Sequence, residues 1–139
     1  MKISIVYEST TGNTEEMANA IASAAKEADN EVIQIKADSA SKDTVLNSDL
    51  ILLGSPAMGA EVLEDSVEDF FSSIEDSISG KTIGLFGSYD WGDGQWMRDW
   101  EERVKTSGAT LLNDKGVIAN LSPNEQALEA CVNLVKNKN

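Results

Sequence analysis

The hydroxyl-rich segment Ser9, Thr10, Thr11, Gly12, Asn13 and Thr14 is the part of this sequence best suited to bind a ligand. It follows a short apolar run at 3–7, typical of a buried strand, and precedes an alanine-rich amphipathic segment at 15–28, typical of a helix. A helix N-terminus offers free N–H groups and a partial positive charge to a phosphate. The hydroxyls add donors, and Gly12 lets the backbone approach closely. No Lys or Arg lies between Glu8 and Thr14, so neutral groups alone would hold the phosphate.

The absence of two well-known phosphate motifs limits the chemistry. The sequence contains neither G-x-x-x-x-G-K-[ST] nor G-x-G-x-x-G. We therefore expect a phosphate that anchors a bound cofactor rather than one that is transferred. A simpler interpretation is an ordinary helix cap, with Asn13 as the N-cap and Glu16 completing a capping box variant. The segment alone fits both interpretations.

Composition points to one soluble domain. The 139 residues are 41% hydrophobic, which suffices for a single core spanning 1–139. No apolar run could span a membrane, and the N-terminal run is too short for a signal peptide, so we expect a cytoplasmic protein. Cys131 is the one cysteine and lies in a helical pattern, which favours a buried core position. The lack of histidine removes His-dependent catalytic triads and His-based metal sites, and we predict no catalytic or metal-binding residue.

The formal net charge is −13, from 24 acidic and 11 basic residues. Such a surface disfavours nucleic acid and anionic membranes as partners. It favours a protein partner with a basic patch, because long-range attraction speeds the encounter. Acidity that serves only solubility is the alternative.

Strand and helix patterns alternate along the whole chain. Strands are predicted at 2–7, 31–36, 50–54 and 82–87, with a fifth divided into 110–112 and 117–119; helices are predicted at 15–28, 42–46, 64–74, 95–107 and 125–136. This order predicts an α/β fold, a doubly wound three-layer sandwich with a five-stranded parallel sheet of order 2-1-3-4-5. Ligands of such sheets bind beyond the carboxyl ends of the strands, at the switch point between strands one and three.

Three unusual loops should converge at that crevice, at 9–14, 55–61 and 88–94. In the third loop, Trp91 lies among acidic residues and glycines rather than on an amphipathic face. Its ring could stack on a flat ligand, or fold back to cap the core. Trp96 and Trp100 have helical spacing and are predicted to be core residues.

The second loop carries side chains suited to an aromatic ligand. Met58 is flexible and polarizable, and the peptide at Gly59 can flip at low cost. Glu61 could accept a hydrogen bond from a ring N–H, or could be a solvated charge before a helix.

Together these loops resemble those of flavodoxins. The match comprises STTGNTE at Ser9–Glu15, LGSPAMG at Leu53–Gly59, and GSYDWGDG at Gly87–Gly94 followed by Trp96 and Met97. The resemblance covers essentially the whole chain. Its length and the pattern around Leu111 are similar to the short-chain group, which lacks a long insertion in strand five.

The resemblance implies a low-potential one-electron carrier that uses non-covalently bound FMN and shuttles between semiquinone and hydroquinone. Met58 and Trp91 would cover the two flavin faces, Gly59 would present its carbonyl to N5–H, and Glu61 would meet the N3 edge. Carried over by position, the cofactor-binding residues are Ser9, Thr10, Thr11, Gly12, Asn13 and Thr14 at the phosphate, Ser55, Pro56, Ala57, Met58, Gly59 and Glu61 in the second loop, Ser88, Tyr89, Asp90, Trp91 and Gly92 in the third, and Asn120 at the ribityl chain.

Two positions depart from the family pattern. Asp90 stands where close relatives often have Gly, and its carboxylate would lie near N1–O2 or point to solvent. Glu8 stands where short-chain relatives often carry an aromatic residue. Carboxylates expected near the cavity, which would oppose an anionic reduced flavin, are those of Glu61, Glu64, Asp65, Asp90 and Asp93.

Three other functions are possible alternatives to the carrier. An FMN-dependent quinone or flavin reductase needs room for a nicotinamide, which a stacked Trp91 would block, and basic residues for its phosphates. A signalling receiver domain needs clustered acids and a phosphoacceptor Asp, where this chain has Ser/Thr and Ser55-Pro56. A flavin-binding storage or interaction module without turnover is the third alternative, and the sequence does not distinguish it from the carrier. For a carrier we expect a monomer and transient contacts with reductases and electron acceptors.

Overall fold

The computed structural model describes residues 1–136, and positions 137–139 of the predicted 1–139 domain lie outside the described residues. The strands are β1 (Lys2–Tyr7), β2 (Glu31–Lys36), β3 (Leu50–Gly54), β4 (Ala57–Met58), β5 (Val62–Leu63), β6 (Thr82–Tyr89), β7 (Thr110–Leu111) and β8 (Val117–Asn120). The helices are α1 (Asn13–Glu27), α2 (Lys42–Leu46), α3 (Asp65–Ile74), α4 (Gln95–Thr106) and α5 (Glu125–Lys136). Within these residues no helix is both long enough and apolar enough to cross a membrane.

The main sheet is parallel and has the order β2-β1-β3-β6, with β7 and β8 sharing the outer side of β6. This confirms the predicted order and the divided fifth strand. The division is a short 3₁₀ turn at Leu112–Asp114, where Asn113 and Asp114 have φ of 60° and 63°. The small antiparallel hairpin β4–β5 was not predicted, because two-residue strands leave no periodic signal.

Two apolar clusters cover the two faces of the sheet. One contains Phe71, Trp96 and Trp100 from α3 and α4, and the other contains side chains of α1 and α5, including Met17 and Cys131. All of β3 is buried, as its apolar sequence predicts. Cys131 is fully buried and is therefore a core residue, as predicted, and this burial raises the pKa of its thiol to about 12.

The start of α1 differs from the prediction. The N-cap is Gly12, with φ of 94° and no side-chain cap, and the helix begins at Asn13. The capping box on Asn13 is therefore wrong, because Asn13 already has a helical backbone. A glycine at the cap offers no side-chain acceptor, so the N–H groups of Asn13 and Thr14 stay free within residues 1–136, whereas that of Glu15 donates to the Ser9 hydroxyl.

The start of α3 and the end of β6 also differ from their predicted positions. The α3 helix begins one residue later than predicted, because the Glu64 carboxylate is its cap and accepts the N–H groups of Ser66 and Val67. The β6 strand continues through Ser88 and Tyr89, because these residues pair with β8. Ser88 and Tyr89 thus lie at a strand end rather than in the loop to which they were assigned.

Candidate cofactor site

The three predicted loops meet at a crevice of about 220 Å³ beyond the carboxyl ends of β1, β3 and β6. Twelve of the predicted site residues line it: Thr10, Thr11, Asn13, Pro56, Ala57, Met58, Gly59, Glu61, Ser88, Tyr89, Asp90 and Trp91. Leu121, which was not predicted, completes the lining. The predicted convergence of the loops is confirmed, and it follows from the parallel sheet order alone.

The first loop is held by its own serine. The Ser9 hydroxyl oxygen accepts the N–H groups of Gly12 and Glu15, each at 3.1 Å. Among residues 1–136, no protein acceptor is within hydrogen-bond reach of the backbone N–H groups of Thr11, Asn13 and Thr14. These unused donors at the start of α1 give the loop the character of an anion site.

Three predicted residues support this loop instead of lining the crevice. Ser9 and Gly12 shape the turn, and the buried Thr14 shares a 2.8 Å hydrogen bond between its hydroxyl and that of Ser88. This bond joins the first loop to the end of β6.

The second loop is a hairpin held from below by Ser55. This residue is fully buried; its hydroxyl donates to the Pro56 carbonyl at 2.8 Å and accepts the Glu64 N–H at 3.0 Å. Its side chain is therefore structural. At the hairpin turn, Gly59 and Glu61 have φ of 48° and 56°. A Cβ on Gly59 would meet no atom within 4 Å, so backbone conformation, not space, favours glycine there.

The third loop presents Trp91 to solvent. Its residue surface is 63% exposed, so the alternative in which Trp91 folds back onto the core is wrong, whereas Trp96 and Trp100 are buried as predicted. Asn120 does not line the crevice. Its side-chain N–H groups donate to the carbonyl oxygens of Tyr89 and Asp90 at 3.3 and 3.1 Å, which anchors the loop to β8.

Glu61 fastens the second loop to the third. One carboxylate oxygen accepts the Asp93 N–H at 3.1 Å, and the other accepts the Trp96 N–H at 3.3 Å. The carboxylate thus caps the start of α4, and it packs so closely on Gly92, at φ of 92°, that a Cβ there would collide with it. Glu61 is not the solvated charge of the simpler alternative. We call these contacts the Glu61 clasp.

Gly87 belongs to the motif of the third loop, and it has a packing role that the sequence analysis does not predict. A Cβ on Gly87 would collide with the Ser55 carbonyl and touch Trp96. Because Gly87 has no Cβ, the second loop can pass close to β6. At this crossing the Trp96 indole N–H donates to the same Ser55 carbonyl at 3.2 Å. A glycine inside a strand pattern is the signal that could have indicated this close approach.

Charge around the crevice is acidic, but less so than expected. Glu61 and Asp90 line it, and no Lys or Arg does so among the described residues. The Glu64 carboxylate is instead engaged in capping α3, and Asp93 forms an exposed ion pair with Arg98 at 2.9 Å. Asp65 does not line the crevice either.

A larger groove of about 480 Å³ lies elsewhere, between β8 and α5. Its lining contains several Asn and Gln side chains but no residue of the first two loops and no Trp91. The crevice remains the candidate site because it combines unused backbone donors with an exposed aromatic ring.

Comparison with known proteins identifies the family. A family model described as Flavodoxin matches residues 5–134. The chain belongs to the flavodoxin family. The flavodoxin of Megasphaera elsdenii is 50% identical over 111 residues, which are 79% of this chain and 81% of that relative. The flavodoxin of Clostridium beijerinckii is 45% identical over 133 residues, 95% of each chain.

Solved flavodoxin structures share the fold. The solution structure of two-electron reduced Megasphaera elsdenii flavodoxin has a TM-score of 0.84 at 44% identity and covers 96% of both chains. Oxidised Flavodoxin 1 from Bacillus cereus has a TM-score of 0.86 at 30% identity and covers both chains completely.

Family membership confirms the resemblance seen in the sequence. Flavodoxins bind FMN and are electron-transfer proteins, not enzymes, so the reductase alternative is set aside. The residues present fit FMN: the free N–H groups of Thr11, Asn13 and Thr14 suit its phosphate, and the crevice wall of Met58 and Trp91 suits a flat ring.

Proposed function

We propose that this flavodoxin is a low-potential one-electron carrier that passes electrons between redox proteins and cycles its FMN between semiquinone and hydroquinone. The observation that carries the proposal is the crevice itself. It joins an anion-binding loop without a cation to an exposed Trp91 and to a lining whose ionizable acids are Glu61 and Asp90. The FMN supplies the one-electron chemistry, and the protein adjusts its energies.

In this proposal the first loop binds the phosphate through neutral donors. The N–H groups of Thr11, Asn13 and Thr14 donate to the phosphate oxygens, and the hydroxyls of Thr10 and Thr11 close the site. The hydrogen bonds to Ser9 hold the loop in this shape before the ligand arrives. Preorganisation of this kind lowers the entropy cost of binding.

The other two loops hold the ring. Met58 and Trp91 contact its opposite faces, and the Gly59 peptide meets its N5 edge. The Glu61 clasp fixes the second and third loops relative to each other, so that the ring enters a gap of set width. Glu61 also brings its charge to the pyrimidine end of the ring.

The charge distribution favours a low potential for the second electron. One carboxylate at roughly 8 Å from an anionic reduced flavin costs about 2 kcal/mol in an effective dielectric of about 20. For one electron this corresponds to about 90 mV. The N–H groups that donate to Glu61 place partial positive charges beside its carboxylate, which offsets part of its field and reduces the effect. Asp90 is exposed, and salt screens its contribution.

Exposed apolar residues around the crevice support transient docking of a basic partner. Val62, Trp91, Ile118 and Leu121 are 39–63% exposed and belong to β5, the third loop and the end of β8. Small apolar patches with a charged surround are typical of protein contact surfaces. The net charge of −13 would steer basic patches of reductases and electron acceptors toward it. We propose a cytoplasmic monomer in which this surface stays free for successive partners.

An anaerobic stepwise reductive titration of the FMN-loaded protein, followed by visible absorbance, tests this function. We expect a yellow protein that accumulates a blue one-electron reduced form and then bleaches at low potential. Passage directly to the two-electron form would contradict the one-electron cycle. Absence of a flavin signal after FMN addition would contradict the site itself.

A further inference from the structure

Glu8 and Lys36 form an ion pair at the base of the phosphate-binding loop. One Glu8 carboxylate oxygen accepts the Ser9 N–H at 2.8 Å and the Lys36 ammonium at 3.0 Å. The Glu8 side chain is 19% exposed and that of Lys36 is 40% exposed. The first residue of the loop is therefore held by a carboxylate whose own charge is balanced from the next strand.

Lys36 belongs to a closed ring of contacts around the loop. It is the last residue of β2 and lies opposite Tyr7 in the sheet register, with its ammonium 5.5 Å from the Tyr7 ring centroid. The Tyr7 hydroxyl donates to Glu15 at 2.8 Å, and the Glu15 N–H returns to the Ser9 hydroxyl. Lys36 is the one cation in this ring.

The charges of the pair persist at neutral pH. The hydrogen bond from Ser9, together with Lys36, lowers the pKa of the Glu8 carboxyl below its ordinary value. Glu8 in turn raises the pKa of the Lys36 ammonium. Without Lys36, the Glu8 carboxylate at the base of the loop would have no compensating cation. A second carboxylate, that of Glu15, lies one residue beyond the end of the loop.

Resting on the proposed phosphate site, we propose that Lys36 sets the preference for phosphorylated over unphosphorylated flavin by neutralising Glu8 beside the loop. Glu8 is needed in this arrangement as the acceptor for Ser9. Its charge opposes an arriving phosphate dianion, and Lys36 cancels that charge without contacting the ligand. Lys36 is thus a positioning and specificity residue. Riboflavin, which has no phosphate, is insensitive to this balance.

Fluorescence titration of the flavin-free protein with FMN and, separately, with riboflavin tests the inference. At low ionic strength, Lys36→Gln should raise the Kd for FMN by about five- to tenfold, as expected for one unit charge acting on a dianion through a high effective dielectric. The Kd for riboflavin should stay unchanged. The FMN effect should shrink as salt is added.

Three further variants separate charge from structure. Lys36→Arg keeps the cation and should bind FMN like the parent protein. Glu8→Gln/Lys36→Gln removes both charges but keeps an amide oxygen for Ser9, and it should restore the parent ratio of the two Kd values. Lys81→Gln, just before β6 at the opposite end of the sheet, removes the same charge away from the site and should change neither Kd.

The outcomes distinguish this inference from the proposed function. If the parent protein binds no FMN, the phosphate site itself is wrong. If the parent binds FMN and Lys36→Gln leaves the ratio of the two Kd values unchanged, the role of Lys36 is refuted. If Lys36→Gln weakens FMN and riboflavin equally, or if the double variant fails to restore the ratio, Lys36 acts through structure and the inference is also refuted.

Discussion

Replacing Glu61 by Gln tests the clasp that joins the second and third loops. Gln has the same size and keeps one acceptor oxygen, but it replaces the other with an NH₂ group that cannot accept a backbone N–H. One of the two bonds, to Asp93 at 3.1 Å or to Trp96 at 3.3 Å, is therefore lost, and the other no longer has a charged acceptor. Glu61→Ala removes both bonds.

The expected loss of stability follows from the type of bond. Hydrogen bonds to charged groups contribute about 1.5–3 kcal/mol, and loss of a helix cap costs about 1 kcal/mol. Because the Glu61 clasp is partly exposed and its bonds exceed 3 Å, we take the lower values. Glu61→Gln should lower the free energy of unfolding of the FMN-free protein by about 1 kcal/mol, and Glu61→Ala by about 2 kcal/mol. Urea unfolding at neutral pH measures both.

Asp93→Asn is the matched control, because it also removes one acidic charge, from the third loop that Glu61 contacts. The Asp93 side chain is 78% exposed, and Arg98 is its one ion-pair partner among residues 1–136, so its replacement should change the free energy of unfolding by less than about 0.5 kcal/mol. Unfolding of Glu61→Gln at the same urea concentration as the parent protein would refute the clasp. In the FMN-loaded protein, Glu61→Gln should also raise the potential of the second electron step; an unchanged potential would place its charge away from the flavin.

Three other substitutions and reactions test separate parts of the structure. Gly59→Thr should reduce accumulation of the blue one-electron form, because a β-branched residue at φ of 48° costs roughly 1–2 kcal/mol; reductive titration measures this, and a parent-like yield would contradict a role for the Gly59 peptide. Cys131, with its thiol pKa raised to about 12, should react with a thiol reagent only on unfolding, and rapid labelling of the native protein would contradict its burial. Arg103→Gln should lower the free energy of unfolding by about 1–2 kcal/mol at neutral pH, because Arg103 bonds Glu68 and Glu75 at 2.7–3.1 Å. Arg103 holds the pKa of Glu68 below its ordinary 4.5. The difference in free energy of unfolding between the parent protein and Arg103→Gln should therefore be largest above about pH 4.5 and shrink as the pH falls through the lowered pKa. A difference in free energy that does not depend on pH would refute the pairing.

The sheet was predictable from sequence because its signals are local. The runs at 2–7, 31–36 and 50–54 have the composition of strands, and the structure keeps their bounds. Chain connectivity then restricts the order of parallel strands to a few solutions, and the order brings the loops together. By contrast, the extension of β6 to Tyr89 depends on pairing with Asn120, 31 residues away, which no local pattern reports.

The limits of the site prediction have the same cause. The neighbours of Trp91 in the sequence indicate that it belongs to a loop. No such local signal indicates that Glu61 caps a helix by binding an N–H group 35 residues further along the chain. The same holds for Asn120, for which a contact with the ribityl chain stays a prediction: no local pattern reports that its amide donates to the carbonyl oxygens of Tyr89 and Asp90. A polar residue near a ligand loop has two uses, contact and support, and only tertiary contacts distinguish them.

The contrast among the three tryptophans gives this protein a built-in optical reporter. Trp96 and Trp100 are each 1% exposed, whereas Trp91 is 63% exposed. A water-soluble quencher such as iodide will therefore quench the fluorescence of Trp91 but not that of Trp96 and Trp100. The quenchable fraction of the tryptophan emission will come from Trp91 at the rim of the crevice. Protection of this fraction from iodide on adding a protein partner would therefore report coverage of that rim, without a label.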